Sequence, residues 1–176
     1  MKLLKRISNY FDRIEHDIRL FNLKPSLILG GIVFGLGIFS WIIGGSSDRV
    51  MLMYLFPRCA ISIGFLYFLW GLSFFFIGIV MGGLIFGCEK YKRRETMKII
   101  AFVVLSLILS LCVHPMFFRC LAPFITSAIL LFSALFCFLA ITSAAKLYSL
   151  WSICLMLHFA WLLYNCYITF AIALIN

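Results

Sequence analysis

Residues 150–176, LWSICLMLHFAWLLYNCYITFAIALIN, decide the fold of this chain. The run is apolar and long enough to cross a bilayer as one helix, so its polar groups should face other helices and not lipid. On a helix, His158, Trp161, Asn165 and Ile168 follow one another at i, i+3, i+7 and i+10, and therefore share one face. We interpret that face as one wall of a pocket inside a helix bundle.

The composition of the whole chain indicates its class. Of 176 residues, 65% are hydrophobic and 12% are charged, which is more apolar surface than one soluble domain can bury. The mean hydropathy is +1.13. The formal net charge of +9 comes from basic residues between the apolar runs, and no soluble segment carries a basic helix. We therefore predict an integral membrane protein that contacts the lipid bilayer and does not bind nucleic acid.

Five apolar runs and one amphipathic segment predict the fold. We expect an all-α membrane protein, a five-transmembrane-helix bundle with spans 26–45, 59–87, 99–118, 121–145 and 150–175. His114-Pro115 should bend the third span, because proline removes a backbone hydrogen bond. Residues 1–25 repeat apolar side chains at helical spacing. They indicate an amphipathic helix on the cytoplasmic leaflet or, as the alternative, a docking helix for a partner protein.

The basic residues predict the orientation of the chain. Twelve of the fifteen lie in the amino-terminal segment, the second loop and the fourth loop, which are all on one side of a five-span protein. Positively charged loops are typical of the cytoplasmic side. The amino terminus is therefore predicted to be cytoplasmic and the carboxyl terminus outside.

The first loop, residues 46–58, is apolar for a segment between two spans. Besides Asp48, Arg49 and Arg58 it carries the uncharged run Met51 to Phe56. Such a loop either folds back over the helix ends as a lid or rests among the lipid headgroups. The sequence favours neither alternative.

Two tryptophans are predicted at the same depth in the membrane. At about 1.5 Å per residue, Trp161 lies roughly 17 Å from the cytoplasmic start of its helix, and Trp70 roughly 17 Å from the outer start of its own. In a hydrocarbon core about 30 Å thick, both are near the middle and away from the interface where tryptophan is enriched. They should therefore line a ligand pocket or fill the bundle core.

Three helix motifs follow in the order found in a known family. Trp161, the aromatic residue three positions later and the closing Asn176 match P-Y-x-x-W-x-x-F-A-x-x-L-N in its last helix. The segment Trp70–Gly78 resembles W-T-x-L-Y-x-x-M-G and begins thirteen residues after Pro57. Pro115–Phe118 keeps the Pro-x-Phe-Phe of N-x-x-W-S-P-x-F-F. Over residues 26–176 the chain resembles the translocator protein family, also called the tryptophan-rich sensory proteins, as a divergent member.

The resemblance implies a function. Members of the family are five-helix bundles, usually homodimeric, with a pocket that opens towards the first loop and binds tetrapyrroles such as protoporphyrin IX or haem. Some members bind sterols or drug-like aromatic molecules. In bacterial relatives, the tryptophans that match Trp70 and Trp161 are associated with light- and oxygen-dependent porphyrin breakdown, so these two are the candidate catalytic residues. A bacterial cell membrane is the implied location, and no cofactor is required.

A porphyrin is a flat aromatic disc with carboxylates, so its site needs apolar walls and a few polar anchors. The candidate ligand-binding residues are Phe74 and Tyr164 as walls, Ser110, His158 and Asn165 as polar groups within the membrane, and Arg49 or Arg58 as partners of the propionates. Asn165 replaces a small residue of the family, and the third helix lacks the family's tryptophan. Both changes predict a narrower pocket or a different ligand.

Two questions stay open at this point. His158 is either an axial ligand to a haem iron or a buried histidine hydrogen-bonded across the bundle. The protein is either a tetrapyrrole sensor or carrier, with slow photo-oxidative turnover, or a small transporter or accessory bundle in which the same residues form the core. The spans contain no metal-site spacing and no nucleophile with a base, which excludes a hydrolase. All six acidic residues lie outside the spans, which argues against ion-coupled transport.

Overall fold

The computed structural model of the protein describes residues 11–12, 14–19, 21–45, 48–58, 60–87 and 93–176. The first ten residues of the predicted amphipathic helix, Cys59 at the predicted start of the second span and residues 88–92 of the basic second loop lie outside the described residues. The side chain of Arg49, a candidate ligand-binding residue, lies outside them as well.

The described residues form helices and no strand. Helix α1 lies within residues 11–19. The others are α2 (Leu23–Gly44), α3 (Asp48–Met53), α4 (Ile63–Phe86), α5 (Arg93–His114), α6 (Pro123–Ala144) and α7 (Ser149–Ile175). All except α1 and α3 are long and apolar enough to cross a membrane. The predicted all-α fold with five spanning helices is confirmed, and the chain is an integral membrane protein.

Two spanning helices begin earlier than the apolar runs predict. Helix α2 begins at Leu23, although we expected Pro25 to close the preceding segment. Proline is tolerated in a first helical turn, because an N–H there has no partner within the helix. Helix α5 begins at Arg93 and not at Ile99. Its polar first turn contains Glu95, an acidic residue at the positive end of the helix dipole.

The third span changes its helix type at Pro115, where a bend was predicted. Pro115–Arg119 form a π-helical segment that continues α5. The N–H of Cys120 donates to the carbonyl of Pro115 at 3.0 Å, five residues back. Pro115 cannot donate a backbone hydrogen bond, so the α-helical pattern is interrupted and a π turn takes its place. This segment buries Phe117 and Phe118 within the bundle.

The spanning helices close into a ring in the order α2, α4, α7, α6 and α5. Helix pairs α6 with α7, α2 with α4 and α5 with α6 make the most extensive contacts, and α4 touches α7 over a smaller area. Between α5 and α6, the hydroxyl of Ser133 lies 3.0 Å from that of Ser106 and 2.9 Å from that of Ser110. The seam between α4 and α7 and the contacts of α5 with α2 and α4 are therefore the sparser parts of the bundle.

Helix α1 packs against the end of the bundle where α7 begins. The buried Asp17 accepts a hydrogen bond of 3.1 Å from the N–H of Leu150 in the first turn of α7. A carboxylate at this position satisfies an N–H that the helix leaves unpaired and opposes the positive end of its dipole. Nearby, the rings of Phe21 and Trp151 lie 5.3 Å apart. Helix α1 thus docks on its own bundle.

We expect Asp17→Ala to destabilise this docking by about 1 kcal/mol, the usual effect of losing a helix cap. Native-state hydrogen exchange at the Leu150 amide measures the change directly. Glu15→Ala is the matched control, because Glu15 is exposed and forms a surface ion pair with Arg19. Equal exchange rates in the two variants would contradict the capping role of Asp17.

Candidate functional site

Trp70 and Trp161 meet across the seam between α4 and α7. Their ring centroids are 6.1 Å apart and their planes are 82° apart, an edge-to-face arrangement. Trp70 also stacks on Phe74 at 5.4 Å, and Trp161 stacks on Tyr164 at 5.6 Å. The two tryptophans that the sequence predicts at one depth are in contact, in a row of four aromatic side chains.

His158 is held by α4. Its Nδ1 and the Oγ of Ser73 are joined by a hydrogen bond of 2.6 Å. This geometry corresponds to the second interpretation of His158, a buried histidine hydrogen-bonded across the bundle. The Nε2 atom is buried and has no hydrogen-bond partner among the described residues.

A crevice of about 310 Å³ lies between α4 and α7. His158 and Trp161 line one side, and apolar residues such as Phe76 line the other. Trp161 Nε1, like His158 Nε2, is buried without a partner in the part of the chain that the structure describes. A buried polar atom without a hydrogen bond costs about 1–3 kcal/mol. Trp161 Nε1 is a donor, so a molecule that places an acceptor atom beside it is favoured in this crevice.

A second, smaller cavity lies inside the bundle and measures about 40 Å³. Trp70 and Asn165 both line it, and the side-chain amide of Asn165 donates to the carbonyl of Trp161 at 2.7 Å. The cavity has room for ordered water but is much smaller than the roughly 300 Å³ of a ligand pocket. Ser110, the other predicted polar anchor, is instead engaged with Ser133 and holds α5 to α6.

The first loop covers the inner cavity. Helix α3 buries Val50 completely, in a cluster with Phe117, Phe118, Ile168 and Ile172. Farther along the loop, Phe56, Ala60 and Ile61 form part of the cavity wall. Of the two alternatives for this loop, the structure shows the first: the loop folds back over the helix ends as a lid.

Polar contacts fix the lid to the helix ends. The side chain of Asn176 holds both backbone groups of Leu55: it accepts from the N–H at 2.8 Å and donates to the carbonyl at 3.1 Å. The hydroxyl of Tyr164 accepts from the N–H of Ile61 at 3.1 Å. The hydroxyl of Tyr54 donates to the carbonyl of Leu121 at 2.8 Å. Tyr164, predicted as a ligand wall, thus also anchors the loop.

His114 lies at the centre of the aromatic cluster and is absent from the predicted site residues. It is 2% exposed, and its ring centroid lies 5.2 Å from that of Trp70. Tyr67 and Phe118 stack on it at 6.1 Å and 5.9 Å. Neither ring nitrogen has a hydrogen-bond partner among the described residues. The signal available in the sequence was a histidine within an apolar span, which is a marker of function in membranes.

The largest of these spaces is a groove of about 520 Å³ between α2 and α4. Its walls include the aromatic side chains of Trp70 and Phe74, and His114 lies at the α5 side. A Cβ added to Gly31, another lining residue, would have no atom within 4 Å, so the groove is open at that point. The volume is within the range of pockets that hold cofactors and drug-sized ligands.

Five of the predicted site residues are divided between three spaces, and Ser110, Tyr164 and Arg58 line none of the three. Trp70 lines both the groove and the inner cavity, Phe74 lines the groove, Asn165 lines the inner cavity, and His158 and Trp161 line the crevice. Arg58 is exposed in the first loop. Trp70 connects the three, because it also touches Trp161 and His114.

Comparison with known proteins gives no family. No protein-family model matches the chain, and no curated protein is significantly similar to it in sequence.

Proposed function

We propose that this integral membrane protein binds a tetrapyrrole, or a similarly flat hydrophobic molecule, in the groove between α2 and α4, as a sensor or carrier. We further propose that it is a divergent member of the translocator protein family. The observation that carries the proposal is the position of Trp70, a buried tryptophan that lines the groove and touches Trp161, the second tryptophan of the family pattern.

The chemistry of the groove supports a flat aromatic ligand. Its residues are apolar or aromatic, and Trp70 and Phe74 stack on each other. A macrocycle in this position can stack on aromatic side chains while its carboxylates lie towards the polar edge of the membrane. The groove lies between two helices that can span the membrane and is open at Gly31, so a hydrophobic ligand can enter it from lipid without crossing water.

The contact between Trp70 and Trp161 supports slow light-dependent turnover. Under this proposal dioxygen would be the oxidant and would take electrons from the light-excited macrocycle, which is thereby oxidised; Trp70, with Trp161 in edge-to-face contact at 6.1 Å, would line the place of that reaction. Homodimer formation and the cytoplasmic position of the amino terminus stay predictions.

A binding titration tests the proposal. We expect purified protein in detergent to bind protoporphyrin IX saturably, as measured by the fluorescence of the porphyrin. Gly31→Leu should weaken binding at least about tenfold, because it fills an open part of the groove without a steric clash. Trp70→Leu should have a similar effect, since a stacking partner is lost.

Two variants serve as controls for this titration. Gly35 also has open space around its Cβ position and does not line the groove, so Gly35→Leu should bind as the parent protein does. Trp151 packs on Phe21 at the other end of the bundle, so Trp151→Phe should have no effect on affinity. Saturable binding that is unchanged in Gly31→Leu contradicts the groove as the site.

The second candidate function is a small transporter or accessory bundle without a tetrapyrrole. The small volume of the inner cavity, about 40 Å³, favours it, because the centre of the bundle is nearly filled by side chains. Absence of any porphyrin binding in the titration selects this alternative.

A further inference from the structure

The chain has two buried histidines within its spans, and they differ in their hydrogen bonds. His158 has a partner for Nδ1 in Ser73. His114 has no hydrogen-bond partner for either nitrogen among the described residues, although it is buried. A neutral imidazole has one N–H donor and one nitrogen lone pair, and it is unfavourable to bury both without a hydrogen-bond partner. His114 lines both the groove and the inner cavity, and a histidine in this state is a candidate for binding a ligand.

We propose that His114 is an axial ligand for a metal-loaded tetrapyrrole, so that the protein binds the iron or zinc macrocycle in preference to the metal-free one. The inference rests on the proposed function and specifies its ligand class. The lone pair of a neutral imidazole nitrogen is a common ligand for both metals in proteins.

The surroundings of His114 fit this role. Tyr67 and Phe118 stack on the ring with interplanar angles of 24° and 19°, so its faces are used for packing. The nitrogens lie on the ring edge and are both buried, so the side chain has to turn towards the groove to present one of them to a metal. The same side chain lines the groove of about 520 Å³, where the flat ligand is proposed to bind.

The backbone around His114 is held firmly, as an axial ligand requires. A Cβ on Gly44 would lie 3.0 Å from the carbonyl carbon and oxygen of His114, so the end of α2 packs directly against this turn of α5. Pro115 and the π-helical segment follow at once. A metal ligand on a rigid element keeps its orientation better than one on a loop.

Parallel titrations of purified protein with zinc protoporphyrin IX and metal-free protoporphyrin IX test this role. We expect the zinc macrocycle to bind at least about tenfold more tightly, with the red-shifted Soret band of an axially coordinated metal. His114→Gln keeps most of the volume and should reduce the zinc affinity to that of the metal-free macrocycle. The metal-free affinity should stay within about twofold of the parent value.

His16→Gln is the control, because His16 lies in α1, outside the spanning helices, and does not line the groove. It should keep the preference for zinc and the spectral shift. In His114→Ala, added imidazole should restore the shift, which a purely structural histidine would not do. Thermal unfolding of each variant shows whether the fold is intact.

The outcomes separate this inference from the proposed function. Equal affinity for both macrocycles, or a spectral shift that persists in His114→Gln, overturns the axial role and leaves tetrapyrrole binding in place. Failure of both macrocycles to bind the parent protein overturns the proposed function and this inference with it.

Discussion

Replacement of Gly78 by valine is expected to lower the free energy of unfolding by about 3 kcal/mol, the upper range for overpacking a tight interface. A Cβ at this position would lie 2.6 Å from Gly30 Cα and 2.7 Å from the carbonyl oxygen of Leu29. Both obstacles are backbone atoms, which cannot move aside as a side chain does. Helices α2 and α4 would have to separate, and the groove between them would lose its shape.

Gly35→Val is the control for this prediction. Gly35 lies in the middle of α2, and a Cβ there would have no atom within 4 Å. Its replacement should change stability by less than about 0.5 kcal/mol, since a surface position contributes little. Unfolding by SDS in mixed micelles measures both values on the same scale. The prediction fails if Gly78→Val and Gly35→Val unfold at the same denaturant concentration.

The sequence predicts the helices of this fold better than it predicts their contacts. The number and order of the spans follow from apolar length, and the irregular turn at Pro115 follows from a missing N–H. The early start of α5 at Arg93 was missed, because charged residues are compatible with both a loop and a helix end in water. The docking of Asp17 on Leu150 has no local signal, since it joins residues 133 positions apart.

At the site, too, the sequence predicts the position of a residue along its helix better than the contacts of its side chain. The rise per residue of a helix was enough to predict that Trp70 and Trp161 lie at the same depth in the membrane, and in the structure their rings are in contact. Depth does not give the rotation of each helix about its axis, and this rotation decides which cavity a side chain lines. Ser110 therefore faces Ser133 of α6, and His114, one turn farther along α5, occupies the aromatic cluster.

Val50→Asp is expected to release the lid. Val50 is a fully buried residue of α3, and an aspartate there would place a carboxylate among Phe117, Phe118 and Ile172. Burying an unpaired charge costs several kcal/mol, so detachment of the loop becomes the lower-energy response. The amides of Leu55 and Ile61, which donate to Asn176 and Tyr164, should then exchange their hydrogens about 100-fold faster.

Leu52 lies on the same short helix and is 87% exposed, so Leu52→Asp adds the same charge without burial. Exchange at Leu55 and Ile61 should stay at the parent rate in this control, whereas amides in α6 should be unchanged in both variants. If Leu52→Asp speeds exchange as much as Val50→Asp, the added charge itself releases the loop, and the burial of Val50 is not what holds it in place. If only Val50→Asp does so, the lid is a separate unit that opens without unfolding the bundle. Opening then exposes the inner cavity, and ligand access through the first loop can be compared directly with entry from lipid into the groove between α2 and α4.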